Sequence, residues 1–108
     1  KMSDKVNELF ELAIKYVQGN CATEQYGDSG KELTTQDKLD FYGFFKIATV
    51  GDNDQPQPWK LQVVEYAKWN AWNTLNGMDA QEAKQKYIDK LTTLAPEWES
   101  YARQKFSA

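Results

Sequence analysis

Apolar residues recur at three- and four-residue intervals along most of this chain and do not alternate, a pattern that specifies helices and no strands. The densest case is Phe41, Phe44, Phe45 and Ala48, spaced i, i+3, i+4, i+7, with Tyr42, Lys46 and Thr49 forming the adjacent strip. Thr34 followed by Asp37 is a capping box with aspartate in place of the usual glutamate, so this helix starts near Thr34. Gly51 is placed to end it in a left-handed conformation.

Three further helices follow from the same signals. The first runs from about Ser3, its N-cap, to Gln18, with Val6, Phe10, Ala13 and Val17 on one stripe widened by Leu9 and Ile14. Gly19-Asn20 supplies its stop. A third helix spans about Trp59 to Leu75, marked by Val64, Ala67, Ala71 and Leu75, and Asn76-Gly77 ends it. A fourth begins at Asp79, an acidic N-cap with Glu82 at N3, and buries Ala83, Tyr87, Leu91 and Leu94 with Ile88 beside them. Pro96 breaks that helix near Ala95, or opens a further short one. Trp98, Tyr101, Ala102 and Phe106 then make an amphipathic tail. Residues Gly19 to Leu33, with Gly27-Asp28-Ser29-Gly30 in sequence, form a long polar loop. Asp52 to Pro58 is a turn-rich connection.

With 108 residues, 41% of them apolar, the chain fits a single domain around one core. The expected extent is 1–108, with a core of about 3–95 and an extension over 96–108 that has no evident role. The net charge of −3 argues against a general nucleic-acid binder. Local lysines can still hold an anion. Histidine is absent, which removes the commonest general base and transition-metal ligand. Cys21 is the single cysteine; it has no disulfide partner within the chain and no histidine to activate it, so it is a passive thiol. No apolar run reaches membrane-spanning length, and no leader pattern opens the chain. Lys1 ahead of Met2 points to Met2 as the natural start. Cytoplasmic residence is the expectation.

The chemistry concentrates at cations set among rings. Tyr42 and Lys46 stand one turn apart, so a hydroxyl and an ammonium can converge on one anion. Lys68 and Trp72 are likewise neighbours on the next helix, and Tyr87 comes from another. Two lysines and two phenols from three helices suit a phosphate with an aromatic ring nearby. Each charge-assisted contact at a half-exposed site is worth only about 1 kcal/mol or a little more. A hydrocarbon tail contributes about 0.8 kcal/mol per buried methylene, hence roughly 10 kcal/mol for a long acyl chain before ordering costs. On these magnitudes a tail sets affinity, and the phosphate pocket sets orientation and head-group identity. Without further information Lys46 and Lys68 would be ordinary snorkelling lysines; Trp69, Trp72, Phe41 and Phe44 are read as core packing with or without it.

Three ordered stretches add that information. They are Tyr42-Gly43-Phe44-Phe45-Lys46-Ile47-Ala48-Thr49-Val50-Gly51-Asp52, then Ala67-Lys68-Trp69-Asn70-Ala71-Trp72-Asn73-Thr74-Leu75-Asn76-Gly77-Met78, then Glu82-Ala83 with Tyr87-Ile88. Together with Phe10, Ala13 and Val17 they resemble the acyl-CoA-binding protein family, over roughly Phe10 to Leu94. The resemblance implies an all-α fold, a skewed up-down-down-up four-helix bundle, here with an extended loop after the first helix and a short C-terminal helical extension. It implies that Tyr42, Lys46 and Lys68 contact the ribose 3′-phosphate of coenzyme A. Tyr87 and Phe45 would flank the nucleotide, and Leu39 would line the acyl groove with apolar residues of the first helix. Gln18 and Val64 occupy head-group positions that are often basic, Phe45 stands where tyrosine is usual, Ile47 replaces a common glutamine, and Lys38 replaces an apolar groove residue.

The implied function is non-catalytic binding, buffering and transport of medium- to long-chain fatty acyl-CoA, with no cofactor and no metal. The expected partners are acyl-CoA esters and acyl-CoA-using enzymes, with no nucleic acid, and the expected state is a monomer. The altered Phe45, Ile47, Val64 and Gln18 leave an alternative, a helical protein-interaction module that keeps the fold without the ligand. A thioesterase is the other rival, and the missing nucleophile–base pair counts against it.

Overall fold

The computed structural model describes residues 2–26 and 33–106, with side chains from residue 4 onward. Among them the secondary structure is helical throughout: α1 (Met2–Gln18), α2 (Cys21–Tyr26), α3 (Thr35–Thr49), α4 (Val63–Asn73), α5 (Ala80–Leu94) and α6 (Trp98–Phe106). The four long helices expected from periodicity are α1, α3, α4 and α5. α1 already includes Ser3, the proposed N-cap, whose side chain is not described, and residues 27–32 of the expected loop lie outside the described residues. The chain divides into two compact units, Lys1–Leu33 with Gln85–Ala108, and Thr34–Lys84.

In the first of these, α1 is rotated relative to the stripe read from the sequence. Phe10, Leu12, Ala13 and Tyr16 are buried, whereas Val6, Leu9, Ile14 and Val17 are only half-buried. The reason is aromatic packing. Tyr16 meets the rings of Trp98 and Tyr101 edge-on, with centroids 6.1 and 6.0 Å away, and its hydroxyl donates to Gln25 Oε1 at 2.6 Å. A tyrosine with a satisfied hydroxyl is a core residue. Phe10 and Tyr87 pack at 5.3 Å with planes 87° apart.

The polar segment after α1 is not all loop. Asn20 takes the left-handed conformation (φ 57°) that stops α1, and Cys21 opens α2. Cys21 is fully buried, and burial pushes its thiol upward. From the other side α6 holds α2 in place. Tyr101 donates to Glu24, and Lys105 Nζ reaches both Glu24 oxygens at 2.6 and 2.7 Å. Arg103 spans to Glu8 at 3.0 Å and to Glu99 at 2.8 Å. Trp98 is 2% exposed, and its indole donates to Thr92 Oγ1 at 3.0 Å. The tail beyond Pro96 therefore supplies core side chains to this unit.

In the second unit the capping box at Thr34 is present in full: Asp37 N donates to Thr34 Oγ1, and Thr34 N donates to the Asp37 carboxylate, both at 3.0 Å. Gly51 is left-handed (φ 101°), as its place after the helix requires. Asp79 caps α5 through its carboxylate, which accepts from Gln81 N at 3.0 Å. Ile47, Trp72 and Ala83 form the core, with Tyr42, Ala48, Leu75 and Met78 against it. The helix expected from Trp59 begins only at Val63. Gln62 N closes a turn onto Trp59 O at 2.8 Å, and Trp59, Leu61, Val63 and Val64 face solvent. With those side chains largely in solvent, Trp59 to Gln62 gain little by extending the helix. Val64 is accordingly not part of the buried stripe.

Candidate ligand cleft

The placement of the site begins with a missing side chain. A Cβ on Gly43 would lie 2.7 Å from Ala71 O and 2.8 Å from Leu75 Cδ1, so only glycine lets α3 approach α4 this closely. The signal was present in the sequence, since a mid-helix glycine costs about 1 kcal/mol against alanine and so implies a packing reason.

That approach brings two lysine–aromatic pairs into a crossed arrangement. Lys46 of α3 lies over Trp72 of α4, its Nζ 4.6 Å from the ring centroid. Lys68 of α4 lies over Tyr42 of α3, at 5.1 Å. Each helix thus supplies one cation and one ring, and each ammonium rests on the partner helix's ring. Trp72 is 4% exposed, and its indole donates to Gly51 O at 2.7 Å, which fixes the plane under Lys46. Both lysines are half-buried, and a ring contact uses none of an ammonium's three N–H groups outright, so both keep donors to offer an anion.

Beside them opens a cleft of about 260 Å³, walled by Tyr42, Lys68, Trp69 and Trp72 on the helices and by Pro56 and Pro58 on the connection. Glu65 also borders it, an acidic wall that the sequence reading missed. The connection is held in place. Trp69 Nε1 donates to Gln55 O at 2.9 Å, Asn53 Nδ2 donates to Trp69 O at 3.2 Å, and Asp52 accepts from Gly77 N at 2.8 Å. The Trp–Pro walls are flat and apolar and Lys68 is cationic, so the cleft offers a face to a planar ring and a charge to an anion. A second cavity of the α3–α4 pair, about 230 Å³, is lined by Leu39, Phe44, Ala67 and Leu75 with Gln36 and Asn70.

Of the residues named from the sequence, Tyr42, Lys46 and Lys68 come together at the crossed pairs, and Leu39 lines the second cavity. Phe44, read as core, is half-buried and lines that cavity too. Phe45 is half-buried on α3 and is not among the residues walling the first cleft. Val64 is 66% exposed in the first turn of α4. Tyr87 and Gln18 belong to the other unit. There Tyr87 is 2% exposed against Phe10, and burial raises its phenol; Gln18 is exposed at the end of α1. Lys38 is exposed.

The family model for acyl-CoA-binding protein matches residues 7–91. Acyl-CoA-binding protein 2 of Saccharomyces pastorianus is 36% identical over 95 residues, 88% of this chain and 99% of that protein. Acyl-CoA-binding domain-containing protein 4 of rice (Oryza sativa subsp. japonica) is 40% identical over 96 residues, 89% of this chain; the match spans only 27% of that longer protein. The solution structure of acyl-CoA-binding protein from Babesia bovis superposes with a TM-score of 0.68 at 39% identity, covering 92% of this chain and 99% of that one. These likenesses give the helical-bundle fold.

Proposed function

The chain belongs to the acyl-CoA-binding protein family, and from that membership we propose that it binds medium- to long-chain fatty acyl-CoA esters and carries them without chemical change. The observation that supports this reading is the crossed pair of Lys46–Trp72 and Lys68–Tyr42 beside a cleft with flat apolar walls. An ammonium resting on a ring face has already lost rotamer freedom and part of its hydration, so a phosphate meets it at lower cost. In this proposal Tyr42, Lys46 and Lys68 take the ribose 3′-phosphate, and Leu39 lines the path of the tail. Phe45, Tyr87, Gln18 and Val64 keep the head-group roles that the family resemblance implies.

The same reading makes the chain a single acyl-CoA-binding domain, monomeric and cytoplasmic, that buffers its ligand and passes it to acyl-CoA-using enzymes. Among the described residues no helix is long and apolar enough to cross a membrane. No residue is asked to make or break a bond. Calorimetric titration with palmitoyl-CoA tests the proposal. A saturable exotherm much stronger than that of free coenzyme A is expected. Absence of saturable heat would instead favour the interaction module on the same fold, and release of free thiol with turnover would favour a thioesterase.

A further inference from the structure

Four large apolar side chains stand in solvent within six consecutive residues: Trp59 is 69% exposed, Leu61 71%, Val63 72% and Val64 66%. Exposed hydrophobics scattered singly need no explanation, but a run of this kind marks a contact surface. The run is displayed rather than loose. The turn from Trp59 O to Gln62 N closes it at one end, the Trp69 indole pins Gln55 ahead of it, and Pro56 and Pro58 stiffen the approach. Lys60 is the one charge between Asp54 and Glu65, both of which are exposed at the margins.

We propose that the strip Trp59–Val64 docks this protein onto a zwitterionic phospholipid surface. Trp59 has the amphipathic ring that settles at headgroup level, and Leu61, Val63 and Val64 supply apolar area for the acyl boundary beneath it. Lys60 carries its charge on a four-carbon stem, long enough to leave its ammonium among the headgroup phosphates while its methylenes go deeper. The charge pattern selects among occupants. A second copy would bring Asp54 and Glu65 of each chain toward their counterparts, between molecules that each carry −3. An anionic membrane is opposed by the same carboxylates and net charge, whereas phosphatidylcholine carries no net charge to repel them. The inference goes beyond ligand binding and does not depend on it.

Flotation of the full chain with phosphatidylcholine vesicles tests it. Wild type is expected to float with the lipid, and brominated lipid should quench a component of its tryptophan emission that is missing in Trp59→Phe. Leu61→Asp/Val63→Asp, which leaves Val64 in place, should cut the floated fraction at least about tenfold, because each aspartate entering the boundary is strongly opposed. Its circular dichroism should match wild type, since both positions are exposed. Lys46→Ala, which touches only the ligand reading, should float like wild type. The proposal is overturned if wild type stays out of the lipid layer, if the double variant floats equally, or if the strip instead drives a concentration-dependent dimer without flotation.

Discussion

The ammonium of Lys46 stands 4.6 Å from the centre of the Trp72 ring, while the matching pair runs in the opposite sense, from Lys68 of α4 to Tyr42 of α3. The two cations are thereby held at one helix pair, each by a residue of its neighbour. Lys46→Ala and Lys68→Ala should each weaken palmitoyl-CoA binding about fivefold or a little more, as expected for losing a charge-assisted contact of about 1 kcal/mol at a half-buried site. Thermal stability should fall by no more than the cation–π contribution, about 0.5–1 kcal/mol. Titration calorimetry and melting of both variants check this; unchanged affinity in both would remove the assigned phosphate site.

Gly43→Ala should destabilise the protein even though alanine is the better helix former. The added methyl meets the Ala71 carbonyl, which is backbone and has no rotamer to escape into. Overpacking of this kind costs about 1–3 kcal/mol, against a propensity gain of about 1 kcal/mol. A lower denaturation midpoint with unchanged slope is expected, together with weaker acyl-CoA binding as α3 moves off α4. A gain in stability would show that the helices do not need the close approach.

Trp98→Ala should cost about 3–5 kcal/mol, the usual range for emptying a buried aromatic site. The loss should appear as a large drop in urea midpoint, with near-native affinity under folding conditions. A change below about 1 kcal/mol would mean that α6 is dispensable to the core, contrary to the burial of Trp98 and Ala102.

Stability should decline at alkaline pH. Burial raises the Cys21 thiol and the phenols of Tyr16 and Tyr87 above their unfolded values, 9.0 for the thiol and 10.0 for the phenols. The native state then holds protons that the unfolded chain releases, so this stabilisation is complete below the unfolded value and is lost as pH rises through the native one. Urea midpoints measured from pH 8 upward should fall once the thiol range is passed. Cys21→Ala should shift the onset upward; a flat profile would contradict the burial of these groups.

The Thr34 capping box, the Gly51 stop, the Asp79 cap and the tyrosine–lysine and lysine–tryptophan spacings were all legible in the sequence. Each depends on residues within one turn of each other, where the helical repeat alone fixes geometry. Less legible was the face of α1, because Tyr16 looks polar until its hydroxyl is seen to find Gln25 and its ring to find Trp98. The start of α4 was misplaced because Trp59 and Leu61 look like core residues. Nothing local says that they face solvent.

Residue order alone thus determined the helical class, the family and which cations stand beside which rings along one helix. Tertiary structure alone decided that each lysine rests on the other helix's ring, that Gly43 sets the gap between them, and that Trp98 is core while Trp59 is surface. The physical reason is range. Capping and i, i+4 proximity are settled by covalent neighbours, whereas burial and crossed contacts depend on which segments, distant in sequence, come to lie against one another.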